Sequence, residues 1–289
     1  KVSNTKINRF NQSAIKTVLA CPLPPQTRHQ KIQNIKFFNT ELHTGGFVLK
    51  TITSFKPKHI EYLVAKWKQD GLSPGRIKNL MSDLRFVCRL TRKPEIIQSN
   101  SFYGIENRSL IAAQNRAVDN IKTDGIESEF LKASLRLQQA FGLRREECLK
   151  FKPHMADNGS YIRLEKTWTK GGVGRVVPIS NPEQRDALEH AKSLVKVGES
   201  MIPADTSYIQ WRKLYDKKVL AAGNRNLHGL RHAYAQKRYM ELTGGRKPLI
   251  CGGKKPQTLE EKTIDQAARK AISQELGHAL VQITRAYLG

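Results

Sequence analysis

The sequence predicts a mainly α-helical protein of two domains with one small β-hairpin. Apolar residues recur every three or four positions over most of the chain, which is the spacing of one face of a helix. Two short apolar runs, 160–165 and 174–179, flank a glycine-rich stretch and fit a hairpin. A polar stretch within 94–125 separates the two helical parts. We therefore expect domains at 1–100 and 126–289, joined by a linker over 101–125.

The N-terminal part begins with a polar segment, 1–24, which ends in a proline-rich stretch that stops helices. Helices are predicted over 26–42, over 57–70 and from Ser73-Pro74 to about residue 93. Ser73 fits the N-cap position of the third helix, and Pro74 fits its first turn because a proline there loses no helical hydrogen bond. These three helices form the predicted core of the first domain.

The charge of the chain points to a polyanionic partner. Lys and Arg number 50 against 25 Asp and Glu, so the net charge is +25. Nucleic acid is the leading candidate. An anionic membrane surface is the alternative, but no segment is long and apolar enough to insert. Residues 1–100 contain 18 basic and 5 acidic side chains, so this part should contribute strongly to phosphate contacts.

The helix that starts at Pro74 has a basic face opposite its apolar one. Only Asp83 interrupts the positive charge on that face, so we interpret it as a DNA-facing surface; the alternative is an ordinary solvated face. The cations proposed to contact DNA are Arg76, Lys78, Arg85 and Arg89.

The C-terminal part is predicted to be helical apart from the hairpin. Asn181-Pro182 is a capped helix start of the same kind as Ser73-Pro74. The helices are predicted at 127–141, from 182 onward, and at 206–222, 228–242, 259–276 and 279–288.

The four cysteines, at positions 21, 88, 148 and 251, are scattered, with no Cys-x-x-Cys pair and no zinc-finger spacing. We interpret them as reduced thiols of a cytoplasmic protein and expect no metal. The polar, basic N-terminus does not fit a secretory signal.

Three motifs bear on function: FGLRREE at 141–147, HGLR at 228–231, and LGH at 276–278 followed nine residues after its His by Tyr287. In this order they resemble the catalytic core of the tyrosine recombinases, the phage-integrase family. The helical segment 26–93 is similar to the core-binding domain of that family. The resemblance implies a C-shaped, two-domain clamp around duplex DNA.

The resemblance assigns the nucleophile and the phosphate-binding arginines. Tyr287 would attack the scissile phosphate, giving a 3′-phosphotyrosyl link and a free 5′-hydroxyl. Arg144 and Arg231 would clamp the non-bridging oxygens, for which a guanidinium fork is suited. The family places its first Arg directly after a Gly-Leu pair, which selects Arg144 over Arg145. Glu147 would support the active-site Arg and His; the alternative is a plain surface salt bridge.

The resemblance also assigns the remaining catalytic groups. His228 would accept the tyrosine proton or position the phosphate, and His278 would hydrogen-bond a phosphate oxygen. Lys170 would protonate the leaving 5′ oxygen, with Lys166 as its competitor. His232, next to this group in sequence, is interpreted as a structural residue that points away.

The family implies site-specific recombination through a Holliday junction by a homo-tetramer on DNA attachment sites, without metal or nucleotide cofactor. Accessory directionality or DNA-bending proteins and a bacterial, nucleoid-associated location would go with it. Type IB topoisomerase-like relaxation and a non-catalytic DNA-binding regulator are the alternatives. The interval from Arg231 to His278 is 47 residues, about twice the family's usual length. The basic insertion in it could contact DNA, contact a neighbouring protomer, or be a mobile loop.

Overall fold

The computed structural model describes residues 4–107, 111, 114–169 and 171–289, with the backbone alone for 4–8. The chain divides into two compact units, Lys1–Arg108 and Ser109–Gly289, and each has a hydrophobic core of its own. The predicted boundaries at 100 and 126 remain a prediction. Part of the expected linker packs on the second unit, where Lys122 and Asn224 exchange two hydrogen bonds, of 2.8 and 2.6 Å.

The described residues of the first unit form four α-helices around a core that contains Trp67. Phe37 and Phe38 lie against the Trp67 ring, with ring centroids 6.4 and 5.6 Å away. The Ser73 hydroxyl accepts the amide N–H of Arg76, so the predicted N-cap is confirmed. The helices are α1 (Asn4–Leu19), α2 (Pro25–Thr44), α3 (Pro57–Gln69) and α4 (Pro74–Leu90), with short 3-10 helices at Ile52–Ser54 and Pro94–Ile96.

Helix α1 was not predicted, because the segment looked polar and ended in prolines. Its side chains Phe10, Ala14 and Val18 are all fully buried. They recur every four residues and form a narrow apolar stripe that packs against α2. A stripe of three buried residues in a helix of sixteen is a weak sequence signal, although it suffices when a neighbouring helix covers it.

The second unit combines eight helices in the described residues with one two-stranded sheet. Strands β1 (Tyr161–Leu164) and β2 (Arg175–Pro178) pair antiparallel, with Tyr161 opposite Pro178 and Leu164 opposite Arg175, so the predicted hairpin is confirmed. The helices are α5 (Glu129–Phe141), α6 (Arg145–Lys150), α7 (Pro153–Ala156), α8 (Pro182–Ser193), α9 (Tyr208–Ala221), α10 (His228–Leu242), α11 (Leu259–Glu275) and α12 (Arg285–Leu288).

The predicted α5, α8, α9, α10 and α11 are confirmed within a few residues, whereas the short α6 and α7 were not predicted. The expected single helix at 279–288 is wrong. It divides into a 3-10 turn at Val281–Thr284 and the one-turn helix α12. Helix α10 packs against α5, α11 and α12, so the three sequence motifs meet around it.

The fold class predicted from the sequence, mainly helical with one small hairpin, is confirmed. None of the helices in the described part of the chain has the length and apolar content needed to cross a bilayer.

Candidate active site

The first motif places Arg144 at the start of α6. Helix α5 ends at Gly142, whose left-handed backbone (φ 59°) turns the chain sharply toward Arg144. Glu147, one turn into α6, accepts the backbone N–H of Arg144 at 2.7 Å and its Nη1 at 2.8 Å. These two hydrogen bonds to Glu147 fix the Arg144 backbone and leave its guanidinium partly exposed.

Glu147 is the most deeply buried carboxylate of the site, with no exposed surface. Arg175 meets it with two parallel hydrogen bonds, Nη1 to Oε1 at 2.7 Å and Nη2 to Oε2 at 2.6 Å. Burial alone would raise the pKa of Glu147, but the hydrogen bonds and charge of Arg175 outweigh it and hold that pKa at about 2. A surface salt bridge, the alternative interpretation of Glu147, is excluded.

Arg231, in the first turn of α10, is only 1% exposed. Its Nη1 donates to the Gly142 carbonyl at 2.6 Å, and its Nη2 donates to the Leu276 carbonyl. Its Nε is buried and, within the described part of the chain, has no hydrogen-bond partner. Burial, together with the charge of Arg144, lowers the pKa of Arg231 to about 10, so the group remains a cation at neutral pH. Two motifs, at 142 and 276, are therefore tied to the same guanidinium.

Tyr287 lies among three imidazole rings and is 4% exposed. The ring centroids of His232, His278 and His228 lie 4.5, 5.6 and 6.3 Å from that of Tyr287. The expectation that His232 points away is wrong. His228 and His232 are separated by one helical turn and share a face of α10, so both reach the phenol.

All three imidazoles favour the neutral form. Burial and neighbouring arginine charges lower the pKa of His278 to about 4, and burial and the charge of His228 lower that of His232 to about 4. Partial desolvation and the charge of Arg231 lower the pKa of His228, the most exposed of the three. The Nε2 of His278 is buried and has no hydrogen-bond partner among the residues that the structure describes, so its hydrogen-bonding capacity is unused there.

Lys170 lies outside the described residues, so its predicted role stays a prediction. The described residues on either side of it are well defined by packing and by backbone conformation. Trp168 is buried and packs edge-on against Phe151, with ring centroids 5.9 Å apart. On the other side, Gly171 and Gly172 both have positive φ and make the turn toward β2.

The four cations predicted to contact DNA lie on α4, and three of them donate hydrogen bonds to other residues of the protein. Lys78 donates to the Asn107 side chain at 2.9 Å, and Arg85 donates to the Gln98 carbonyl at 2.8 Å. Arg76 makes a longer hydrogen bond to Asn34, at 3.4 Å, and is exposed, as is Arg89. Their contact with DNA stays a prediction.

Sequence reasoning missed two basic residues. Arg175 gave no signal because nothing in an Arg-Val-Val-Pro strand shows that the arginine is buried opposite Glu147. Arg116 lies in the segment whose residue Val118 donates its N–H to the Gly229 carbonyl at 3.1 Å. Its exposed guanidinium is one of the positive charges that lower the pKa of His228, after burial and two other arginines.

The site can bind an anion between its guanidinium groups and present a phenol and neutral imidazoles to it. Within the described residues, no three His, Cys, Asp or Glu side chains come together in a group that could hold a metal ion.

Comparison with known families gives two matches. Residues 24–97 match the family model described as "Phage integrase, N-terminal", and residues 106–237 match the one described as "Integrase". Together the matches span most of the chain. They end before His278 and Tyr287. No curated protein sequence matches the chain.

Solved structures of similar fold include a lambda integrase dimer bound to a COC′ core site, at 16% identity, covering 95% of this chain and 92% of that one, with a TM-score of 0.56. The Tn1549 transposon integrase in complex with circular intermediate DNA matches at 14% identity, 96% and 95% coverage, and a TM-score of 0.52. A lambda integrase tetramer bound to a Holliday junction matches at 15% identity, 93% and 76% coverage, and a TM-score of 0.54. At these identities the similarity concerns the fold.

Proposed function

Because the chain belongs to the integrase family of tyrosine recombinases, whose function is site-specific DNA recombination, we propose that it cuts and rejoins duplex DNA through Tyr287. The observation that carries this proposal is the convergence of Tyr287, three imidazole rings and the buried Arg231, which come from separate parts of the sequence. A purely DNA-binding protein has no need of a phenol in this setting.

The proposed reaction starts with attack of the Tyr287 Oη on the scissile phosphorus. The Oη–P bond forms, the P–O5′ bond breaks, and His228 takes the phenol proton. His228 is suited to this step because its lowered pKa keeps it unprotonated at neutral pH. The product is a 3′-phosphotyrosyl link, which retains the bond energy, so a 5′-hydroxyl from a partner strand can reverse the step.

Arg144 and Arg231 are proposed to bind the non-bridging oxygens, on which negative charge accumulates as the phosphorus becomes five-coordinate. The partly exposed guanidinium of Arg144 has donors left to offer, and the Nε of Arg231 is unpartnered. His278, with its free Nε2, is proposed as a further hydrogen-bond donor in the tautomer that protonates this nitrogen.

The leaving 5′ oxygen needs a proton, and Lys170 is proposed to donate it. The loop between β1 and β2 contains this lysine, and its two glycines with positive φ allow the backbone to come close to a DNA groove. Since residues of the chain fill all these roles, we propose that cleavage requires no metal ion.

Recombination joins two DNA sites, so we propose that four copies act together on two attachment sites. The lambda integrase of similar fold forms a tetramer bound to a Holliday junction, which supports the same assembly for this chain. We also propose that accessory proteins set the direction of the reaction or bend the DNA. The proposed location is the cytoplasm, in association with the nucleoid.

The proposal is tested with a nicked suicide substrate carrying a candidate attachment site, in EDTA, on a denaturing gel. We expect a covalent protein–DNA band with the wild type and none with Tyr287→Phe. A second assay with two labelled sites separates strand exchange from relaxation of a supercoiled plasmid. Salt-sensitive DNA binding without any covalent band would overturn the catalytic proposal and favour a DNA-binding regulator.

A further inference from the structure

The insertion between α10 and α11, residues 243–258, is folded and packs against the helix of the candidate nucleophile. Its 3-10 helix, Leu249–Cys251, contacts α12. Leu249 lies so near Gly289, just after α12, that a Cβ on that glycine would come within 2.9 Å of the Leu249 Cβ. The turn is closed by hydrogen bonds of 3.0 Å from the N–H groups of Cys251 and Gly253 to the Pro248 carbonyl.

Gln236 connects this insertion to Tyr287. It lies on α10 and is 6% exposed, and its Nε2 donates to the backbone carbonyl of Tyr287 at 3.0 Å. The same Nε2 donates to the Asn115 side chain at 2.8 Å. Its Oε1 accepts from the Cys251 thiol at 3.3 Å and from the Asn115 amide at 3.3 Å. All the hydrogen-bonding positions of the amide are therefore in use, which fixes its orientation.

Helix α12 needs such external contacts. It starts anew after the 3-10 turn at Val281–Thr284 and does not continue a longer α-helix, and nucleating a new turn fixes several residues for a single hydrogen bond. Arg269 adds one contact, from its Nη1 to the Gly289 carbonyl at 3.1 Å, and Asp265 holds that arginine at 2.9 Å. The position of the phenol is therefore determined by neighbouring elements of the same chain.

We propose that Gln236 is a positioning residue for the nucleophile and that the insertion supports it through Cys251. By holding the Tyr287 carbonyl, Gln236 fixes α12 and keeps the phenol beside His228 and His278. The role of the insertion is then to help fix the position of Tyr287 through contacts within the same chain. This inference rests on the proposed function, since it assigns the positioning of the attacking group.

The first test replaces Gln236 by Met, which has a similar length and no hydrogen-bonding amide. Gln184→Met is the matched control, because Gln184 is also buried, at 2%, and also donates its Nε2 to a backbone carbonyl, that of Ala140 at 2.9 Å. We expect Gln236→Met to form the covalent complex about 10-fold more slowly in single turnover, with DNA affinity unchanged. An equal loss in Gln184→Met, or no loss in Gln236→Met, would overturn the proposal.

A substrate with sulfur in place of the bridging 5′ oxygen gives a second readout, which a general loss of stability would not change. A thiolate leaves without a proton donor, so this substrate relieves defects in leaving-group protonation and none in nucleophile placement. We expect it to rescue Lys170→Ala and to leave Gln236→Met slow. Rescue of Gln236→Met would contradict a role at the nucleophile.

The contribution of the insertion is tested with Cys251→Ala, for which Cys21→Ala is the control, since both thiols are half-buried. A thiol is a weak donor, so we expect a loss of about 2-fold to 3-fold in the rate for Cys251→Ala and none for Cys21→Ala. Equal rates of covalent complex formation in the two variants would show that neither Cys251 nor the insertion supports Gln236.

Trypsin gives a measurement that is independent of catalysis, because Arg285 is exposed and lies at the start of α12. We expect native Gln236→Met to be cut after Arg285 several-fold faster than the wild type and than Gln184→Met. If the wild type never forms a covalent complex, the proposed function fails, whereas the trypsin comparison still decides whether Gln236 holds α12. Unchanged cutting would overturn the inference alone.

Discussion

Arg175 and Glu147 form a doubly hydrogen-bonded ion pair in which the carboxylate has no exposed surface. The pair connects three parts of the candidate site. Glu147 holds Arg144, Arg175 begins the strand that follows the Lys170 loop, and the Arg175 Nε donates to the Glu275 carbonyl at 2.7 Å, next to the third motif. Removal of either partner should disturb all three.

We expect Arg175→Met to destabilise the protein by about 3–5 kcal/mol, because the buried Glu147 loses its main counter-charge. Chemical denaturation at pH 7 measures this. Arg163→Met is the control, since Arg163 is exposed on β1 of the same hairpin, and it should change stability by less than about 0.5 kcal/mol. Similar losses for both variants would show that the pair has no special role in stability.

Arg144 and Arg145 differ in what they contact, so their substitutions should differ in effect. Arg145 pairs with Asp216 at 2.8 Å on the surface, whereas Arg144 lies beside Arg231 and Glu147. Arg144→Gln should slow covalent complex formation roughly 100-fold or more, by the usual effect of losing a transition-state donor. Arg145→Gln should stay within a few-fold of the wild type. The reverse order in the suicide-substrate assay would reassign the first clamp arginine.

The stability of the protein should fall in mild acid, partly through His232. The pKa of His232 is lowered to about 4 by burial, from an unfolded value of 6.5. The unfolded state therefore binds the proton more readily than the folded state. The contribution of His232 to the free energy of unfolding is complete above pH 6.5 and is lost as the pH falls toward 4. Between pH 7 and pH 5 the wild type should lose about 2 kcal/mol more than His232→Asn, as unfolding titrations at both pH values would show. Parallel pH curves would refute this assignment.

The cleavage rate should change little between pH 8 and pH 7 and fall only at lower pH, because the pKa of His228 is lowered from its ordinary value. His228→Gln should reduce the plateau roughly 100-fold or more, the usual effect of losing a general base. Single-turnover rates between pH 5.5 and 8 measure both effects. A wild-type rate that is already falling between pH 8 and 7 would contradict His228 as the neutral base.

On α4, the two most exposed cations should make the clearest contribution to DNA binding. Arg76→Gln and Arg89→Gln should each lower the slope of log affinity against log salt by about 1 if each removes one phosphate contact. Lys213→Gln, which changes an exposed lysine of α9, reports the effect of charge alone. Arg85→Gln should in addition free the Gln98 carbonyl and lower stability. Unaltered slopes in all α4 variants would make this helix face an ordinary solvated surface.

Most of the fold was predictable because its longer helices bury residues spaced three or four apart, and α4, α8, α9 and α11 begin at a side-chain N-cap. Helix α4, with Ser73 as its cap and buried residues spaced three or four apart, is the clearest example. Helix α1 was missed because its stripe is narrow, and α12 was misjudged because a one-turn helix is defined by its tertiary contacts. Periodicity identifies an element only where the element is long enough to repeat.

The candidate site was predictable where motifs mark it and unpredictable where only the fold brings residues together. The motifs identified Arg144, Arg231 and Tyr287, which lie around one site although 143 positions separate the first from the last. Arg175 and Gln236 carry no local pattern, since their partners lie far away in sequence. His232 is a different case, because its one-turn spacing from His228 in the sequence predicts that both lie on the same face of the helix.

The contacts that hold α12 also determine which part of the candidate site is lost first when the protein is destabilised. Arg231 lies in the first turn of the 15-residue helix α10, whereas Tyr287 lies on a turn that neighbouring elements keep in place. On warming, the phenol should be displaced while the phosphate-binding surfaces remain folded. We expect a molecule in this state to keep its affinity for DNA and to lose the cleavage proposed for Tyr287.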